Sequence, residues 1–223
     1  MIEAANNMKN LLLAFITMVF IVSCTTTSGT GEQSNLTPSP VIVDDSKAIT
    51  LFNGKDLNGW KIHGTEKWYV DNGLLVCENG PDETFGYLAT LKHYKDFQLT
   101  LEYKQKKRGN SGIFVHANVD GNKASGWQVE IAPPGHSTGG INASQRGWLA
   151  EPDYAKDKVI KMGEWNVMTV IVKGNMLTSW LNGTHMATIN DAKLSESEGG
   201  IALQLHGENE TEIQWRNIKL IEL

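Results

Sequence analysis

Several polar side chains in this 223-residue chain recur two residues apart inside apolar runs: Glu102 with Lys104, Gln128 with Glu130, and Gln204 with His206. His116 lies in a run of the same kind. Residues two apart share one face of a β-strand, so each pair would stand opposite an apolar row. Carboxylates and imidazoles on one surface can exchange protons with a bound molecule, which makes Glu130, His116, Glu102 and His206 the candidate acid–base groups. Lys104, Gln128 and Gln204 would add polar contacts beside them. His116, His206 and a carboxylate could instead hold a divalent metal. No His-x-x-x-His or Cys-x-x-Cys spacing occurs, so a metal site would have to be assembled by the fold.

The elements that must position these groups are strands. The stretch GNSGIFVHANVDGNKASGWQVEIAPPG, residues 109–135, reads as two strands, 111–117 and 127–132, joined by a Gly/Asn/Asp-rich loop. Parity puts Ile113 and Val115 on one face of the first, with Phe114 and His116 on the other. In the second, Trp127, Val129 and Ile131 oppose Gln128 and Glu130. A strand at 97–104 alternates in the same way, setting Phe97, Leu99, Leu101 and Tyr103 against Glu102 and Lys104. If the strands carrying these groups are neighbours in one sheet, the polar side chains converge on its concave face. Roughly a dozen short strands separated by turn signals such as Asp71-Asn72-Gly73 and Asn182-Gly183 predict an all-β sandwich of two antiparallel sheets. Trp60, Trp68, Trp165, Trp180 and Trp215 are expected in its core. His63, His93 and His185 are expected at its surface, and His136, which follows Pro133-Pro134-Gly135 beside the candidate site, stays open. The loop that follows, 135–158, is long and polar and includes Arg146 and Trp148; loops of that length in compact domains often carry function.

The net charge of −5 offers no basic footprint for nucleic acid. Of the two cysteines, Cys77 sits in an apolar strand and reads as a buried thiol. Cys24 ends a leader. Lys9 precedes a short apolar run, 11–22, and Ile21-Val22-Ser23-Cys24 resembles the bacterial lipoprotein box. The resemblance implies cleavage before Cys24 and lipid on its sulfur, which would anchor the protein to the bacterial cell envelope, facing outward or into the periplasm, without spanning the membrane. Residues 25–46 are polar and read as a tether, and 47–223 as the folded domain.

LFNGKDLNGW, LEYK, GNSGIF, GWQVEIAPPG, GEWN, LNG and a final HG…WRNI occur in that order between residues 49 and 223. Together they resemble the 3-keto-disaccharide hydrolase family, also called 3-keto-glucoside 1,2-lyase/hydratase. The resemblance implies a concanavalin-like jelly-roll β-sandwich and a secreted enzyme of glycan-degrading bacteria. The chain departs from the family pattern in carrying Gln128-Val129-Glu130 where many members have Glu-x-Gln, and Asn142 where many have a Tyr after the Gly-Gly.

The implied substrate is an oxidised (3-keto) glycoside or disaccharide. Its ketone acidifies the C2 proton; a base removes it, the C1 substituent departs by β-elimination, and water adds back. The site then needs a base, a positive or hydrogen-bonding group at the enolate oxygen, which a divalent metal could also supply, and an acid for the leaving group. On this reading Glu130 or His116 is the base, while Arg146 and Trp148 clamp and stack the sugar. Two other functions fit the same residues: a non-catalytic carbohydrate-binding lipoprotein, and a conventional glycosidase with Glu102 and Glu130 as its carboxylate pair about 5–9.5 Å apart.

Overall fold

In a computed structural model, residues 45–207 and 211–223 are described. The leader with Cys24, and the tether as far as residue 44, lie outside the described residues. The described residues form fifteen strands: β1 Ile49–Thr50, β2 Trp60–His63, β3 Lys67–Asp71, β4 Leu74–Glu78, β5 Phe85–Thr90, β6 Phe97–Gln105, β7 Ser111–Asp120, β8 Lys123–Ile131, β9 Ile141–Ala143, β10 Gly147–Ala150, β11 Asn166–Lys173, β12 Met176–Leu181, β13 Thr184–Asn190, β14 Gly200–His206 and β15 Glu212–Glu222. They make two sheets. The front sheet runs β10-β9-β8-β7-β14-β5-β2, and the back sheet runs β13-β12-β11-β6-β15-β4-β3 with β1 on β15. Neighbours pair antiparallel, as in β7–β8, β7–β14, β6–β11 and β6–β15. This is the antiparallel two-sheet sandwich that the strand alternation predicts and the jelly roll that the family resemblance implies.

The apolar rows meet between the sheets. Ile113, Val129, Ile131, Leu203 and Leu205 from the front sheet, and Leu99, Leu101, Tyr103, Val170 and Trp215 from the back, are buried in one cluster. Each buried aliphatic or aromatic side chain of this size contributes about 1.5–3 kcal/mol by leaving water, so the alternation itself drives the two sheets together. Trp60, Trp68, Trp180 and Trp215 are buried as expected, and so is Cys77, whose thiol burial pushes well up. Trp165 is not in the core. It precedes β11 in the parity of exposed Val167 and is half-buried under the Arg216 guanidinium, 4.0 Å from its ring centroid.

Two features depart from simple alternation, and both shape the front face. The first is a crossover. β6 and β7 follow one another in the chain but lie in different sheets, because the 106–110 turn carries the backbone across the sandwich. The second is a bulge in β7 between Val115 and Asn118. At the bulge His116 takes φ +49° and turns inward, away from the face of Phe114. Gly199 makes this possible: a Cβ there would lie 2.5 Å from the His116 carbonyl carbon. Beyond the bulge the β7–β8 hairpin curls over the front sheet. Its Val119 and Ala124 pack on a second apolar cluster of Tyr87, Ala89, Phe114, Ala117 and Ala202.

Candidate active site

The outward face of the front sheet carries the candidate site. The register aligns Glu130 of β8 with Gly112 of β7, Gln204 of β14, Tyr87 of β5 and His63 of β2 in one cross-strand row. A neighbouring row runs Trp148, Asn142, Gln128, Phe114 and Ala202. The curled hairpin roofs the Phe114 end. The other end opens into a cleft of about 520 Å³ lined by Arg108, Asn110, Pro133, His136 and His206.

Glu130 is the centre of this face. It is 4% exposed, and burial pushes its carboxyl up to about 8 even though a hydrogen bond from Asn110 pulls the other way. Asn110 Nδ2 donates to Glu130 Oε1, and Gln128 Nε2 donates to Oε2 at 2.8 Å. Gln128 Nε2 also donates to Gln204 Oε1 at 3.0 Å, and Gln204 hydrogen-bonds the Tyr87 hydroxyl. The carboxylate is therefore fixed by amides on both sides, and Asn110 links it to the cleft. Gly112 keeps the row open, since a Cβ there would sit 2.6 Å from Gln128 Nε2. The main chain of Glu130 is pinned as well: its N–H donates to Gly140 O at 3.0 Å, and its carbonyl accepts from Gly139 N at 2.8 Å.

The fold brings together Glu130, Gln128, Gln204 and His206. His206 lines the cleft with its ring edge-on to Phe85 at 4.3 Å. Trp148 is on the same face at the β10 edge, 43% exposed, and its ring passes over Gly140 beside Glu130.

Four expected members are elsewhere. His116 is turned into the sandwich by the bulge, between the rings of Phe97 and Trp127. Its Nε2–H donates to Lys95 O at 2.7 Å and its Nδ1 lies 2.9 Å from Ser197 Oγ; burial first, opposed by the Lys95 carbonyl, lowers its pKa. With both nitrogens engaged it is neither a base facing the cleft nor a metal ligand there. Among the described residues no three His, Cys, Asp or Glu side chains gather as a metal-holding set.

Glu102 and Lys104 are on the outer face of the back sheet. Glu102 accepts from Arg216 Nη2 at 2.7 Å and Asn217 Nδ2 at 2.6 Å, and Lys104 lies over Trp165. The core separates Glu102 from Glu130, so they cannot flank one glycosidic bond. Arg146 pairs with Asp191 and stacks on Trp127 at 5.6 Å, at the far end of β8, and does not reach the Glu130 cleft. Two cleft residues, Asn110 and Arg108, are not among the sequence candidates, and His136, open beside the site from its sequence position, lines the cleft with them. Asn110 carries a usable signal, its place in GNSGIF; Arg108 has none beyond its basic turn.

The jelly roll thus carries a buried, amide-clamped carboxylate beside an imidazole- and guanidinium-lined cleft. Residues 47–221 match the model of the 3-keto-alpha-glucoside-1,2-lyase-like domain, and the chain belongs to that family. It is 31% identical over 166 residues to a 3-keto-disaccharide hydrolase of Bacteroides thetaiotaomicron, with 60% of this chain and 56% of that protein covered; the chain thus matches only about half the length of that relative. A protein of Parabacteroides distasonis that carries the provisional name glycosyl hydrolase shares the fold at TM-score 0.63 and 22% identity, covering 80% of this chain and 94% of its own. The carbohydrate-binding module CBM66 of Bacillus subtilis shares it at TM-score 0.58 and 12% identity, covering 74% of this chain and 96% of its own.

Proposed function

We propose that this protein cleaves 3-keto-glycosides by β-elimination followed by hydration, a net hydrolysis, with Glu130 as the base. The observation that carries this reading is the Glu130 carboxyl, held near pKa 8 by burial and hydrogen-bonded by Asn110, which lines a cleft together with Arg108, His136 and His206. A carboxylate so poised is a far stronger base than one in water, and it can remove the proton on C2 that a ketone at C3 acidifies. A substrate hydroxyl that takes over the Asn110 amide gains access to Glu130 Oε1. The Arg108 guanidinium and the His206 ring then stabilise the negative charge that develops on the C3 oxygen. Expulsion of the C1 substituent leaves an enone; water adds at C1, and Glu130 returns its proton to C2. Family membership supports a sugar as the substrate, and the separation of Glu102 from Glu130 speaks against a conventional carboxylate-pair glycosidase.

The test is to incubate the full-length protein with a 3-keto-glucoside bearing a chromogenic leaving group, with the parent glucoside alongside. Release from the keto compound alone is expected. Equal release from the unoxidised parent would refute the mechanism, and binding of both without release would point to a carbohydrate-binding protein.

A further inference from the structure

The β8–β9 connection, residues 132–140, is built with unusual rigidity around one side chain. Ser137 is buried yet takes φ +59°, a left-handed conformation that disfavours a non-glycine residue. Its Oγ donates to Glu151 Oε2 at 2.6 Å and its carbonyl accepts from Gly140 N at 2.7 Å. Gly135, left-handed at φ +90°, donates its N–H to Asp157 Oδ2 at 2.6 Å. Thr138 Oγ1 accepts from Ala132 N at 2.9 Å and closes the base of the loop, while Ser179 Oγ clamps the Gly139 carbonyl. His136 stands between the two left-handed residues. It is exposed and lines the Glu130 cleft, whereas Ser137 and Thr138 are turned into the scaffold.

Backbone strain held by this many hydrogen bonds marks a position whose geometry is used. The elimination proposed above leaves one requirement unassigned. Departure of a sugar oxygen from C1 needs a proton, and Glu130 at that moment has just accepted one from C2.

We propose that His136 is the general acid that protonates the leaving glycosidic oxygen; this rests on the 3-keto-glycoside reading. The imidazolium Nε2–H or Nδ1–H passes its proton to the oxygen as the C1–O bond breaks, and the electron pair freed at C2 becomes the C1=C2 bond. In the hydration step the neutral imidazole takes a proton from the water that attacks C1, and Glu130 reprotonates C2, so both groups return to their starting states. An imidazole exchanges protons near neutral pH, which suits both directions. The charged and titratable groups near His136 are Arg108 and His206, which line the same cleft, Glu130, which Asn110 of that cleft hydrogen-bonds, and Asp157 and Glu151, which hold the flanking residues Gly135 and Ser137.

The experiment compares His136→Gln with the unmodified protein on two 3-keto-glucosides, one losing a sugar and one losing 4-nitrophenol. A sugar alkoxide needs the acid and a nitrophenolate largely does not. The expected result is a kcat loss of about 10²–10⁴-fold with the sugar leaving group, a much smaller loss with nitrophenol, little change in KM, and disappearance of the alkaline limb of the pH–kcat profile with the sugar substrate. His136 is exposed, and an unchanged melting temperature would verify that the variant folds. Equal losses on both substrates, or none on either, would overturn the assignment. If the unmodified protein cleaves neither keto compound, the lyase reading falls and this inference falls with it.

Discussion

Replacing Glu130 by Gln should abolish turnover and at the same time stabilise the protein, increasingly so as pH rises. In the fold the Glu130 carboxyl titrates at about 8, against 4.5 as its ordinary value. An acid whose pKa is raised by folding binds its proton more tightly in the native state than in the unfolded one. Between pH 4.5 and 8 the native state therefore carries more protons, and stability falls as pH climbs through that window. At 1.36 kcal/mol per pH unit the full difference amounts to roughly 5 kcal/mol, present above pH 8 and absent below pH 4.5. That is a large part of the roughly 5–15 kcal/mol that holds a typical domain together. Glutamine cannot ionise, so Glu130→Gln loses this pH-dependent penalty. It also loses one acceptor for the Asn110 and Gln128 amides, a cost of about 1–3 kcal/mol that does not vary with pH and so drops out of the trend. Urea unfolding of both proteins at pH 5, 7 and 9 measures it: the stability of the variant minus that of the unmodified protein should grow by several kcal/mol from the lowest pH to the highest. Taking the difference cancels every other titrating group. In parallel, kcat/KM of the unmodified protein on the keto compound that loses 4-nitrophenol, which does not need the acid, should rise with pH through an apparent pKa near 8, because only the ionised carboxylate is a base. A stability gap that stays flat between pH 5 and 9, or one that shrinks, would show that Glu130 is not held protonated by burial and would remove the basis for its role.

Two further outcomes follow from the same geometry. His116→Ala should lower the melting temperature, by about 2–4 kcal/mol of stability for two lost hydrogen bonds and the ring packing against Phe97 and Trp127, while kcat below the transition stays within about threefold; a complete loss of turnover in folded protein would return His116 to the site. Gly112→Ala should do the opposite, because the three atoms nearest its Cβ all belong to the flexible Gln128 side chain: we expect little change in melting temperature but a fall in kcat of about tenfold or more as the clamp on Glu130 is displaced, and unaltered kinetics would mean that the Gln128 contact is idle.

Much of the site was legible because side-chain parity is local. Gln128 with Glu130, and Gln204 with His206, needed only the period of two to be placed on polar faces, and the same period named the core rows that press the sheets together. The ordered family motifs were likewise readable without coordinates. Parity also paired Glu102 with Lys104 correctly, but it says nothing about which sheet a strand joins. That depends on hydrogen-bond partners far along the chain, β11 and β15 for β6 but β8 and β14 for β7, and it separated Glu102 from Glu130 by the full thickness of the core. His116 was misplaced for a related reason. One extra residue in a strand inverts parity from that point on, and the bulge can form there only because Gly199, more than eighty positions away, leaves room for the His116 backbone. The raised pKa of Glu130 comes from burial, against the pull of the Asn110 hydrogen bond, and the cleft-facing position of His136 comes from the hydrogen bonds that tie Gly135 to Asp157 and Ser137 to Glu151; no sequence interval encodes either. The amino-acid order thus determined which side chains share a face of each strand; only the packing of distant strands decided which faces meet, which carboxylate is stripped of water, and which histidine looks into the cleft.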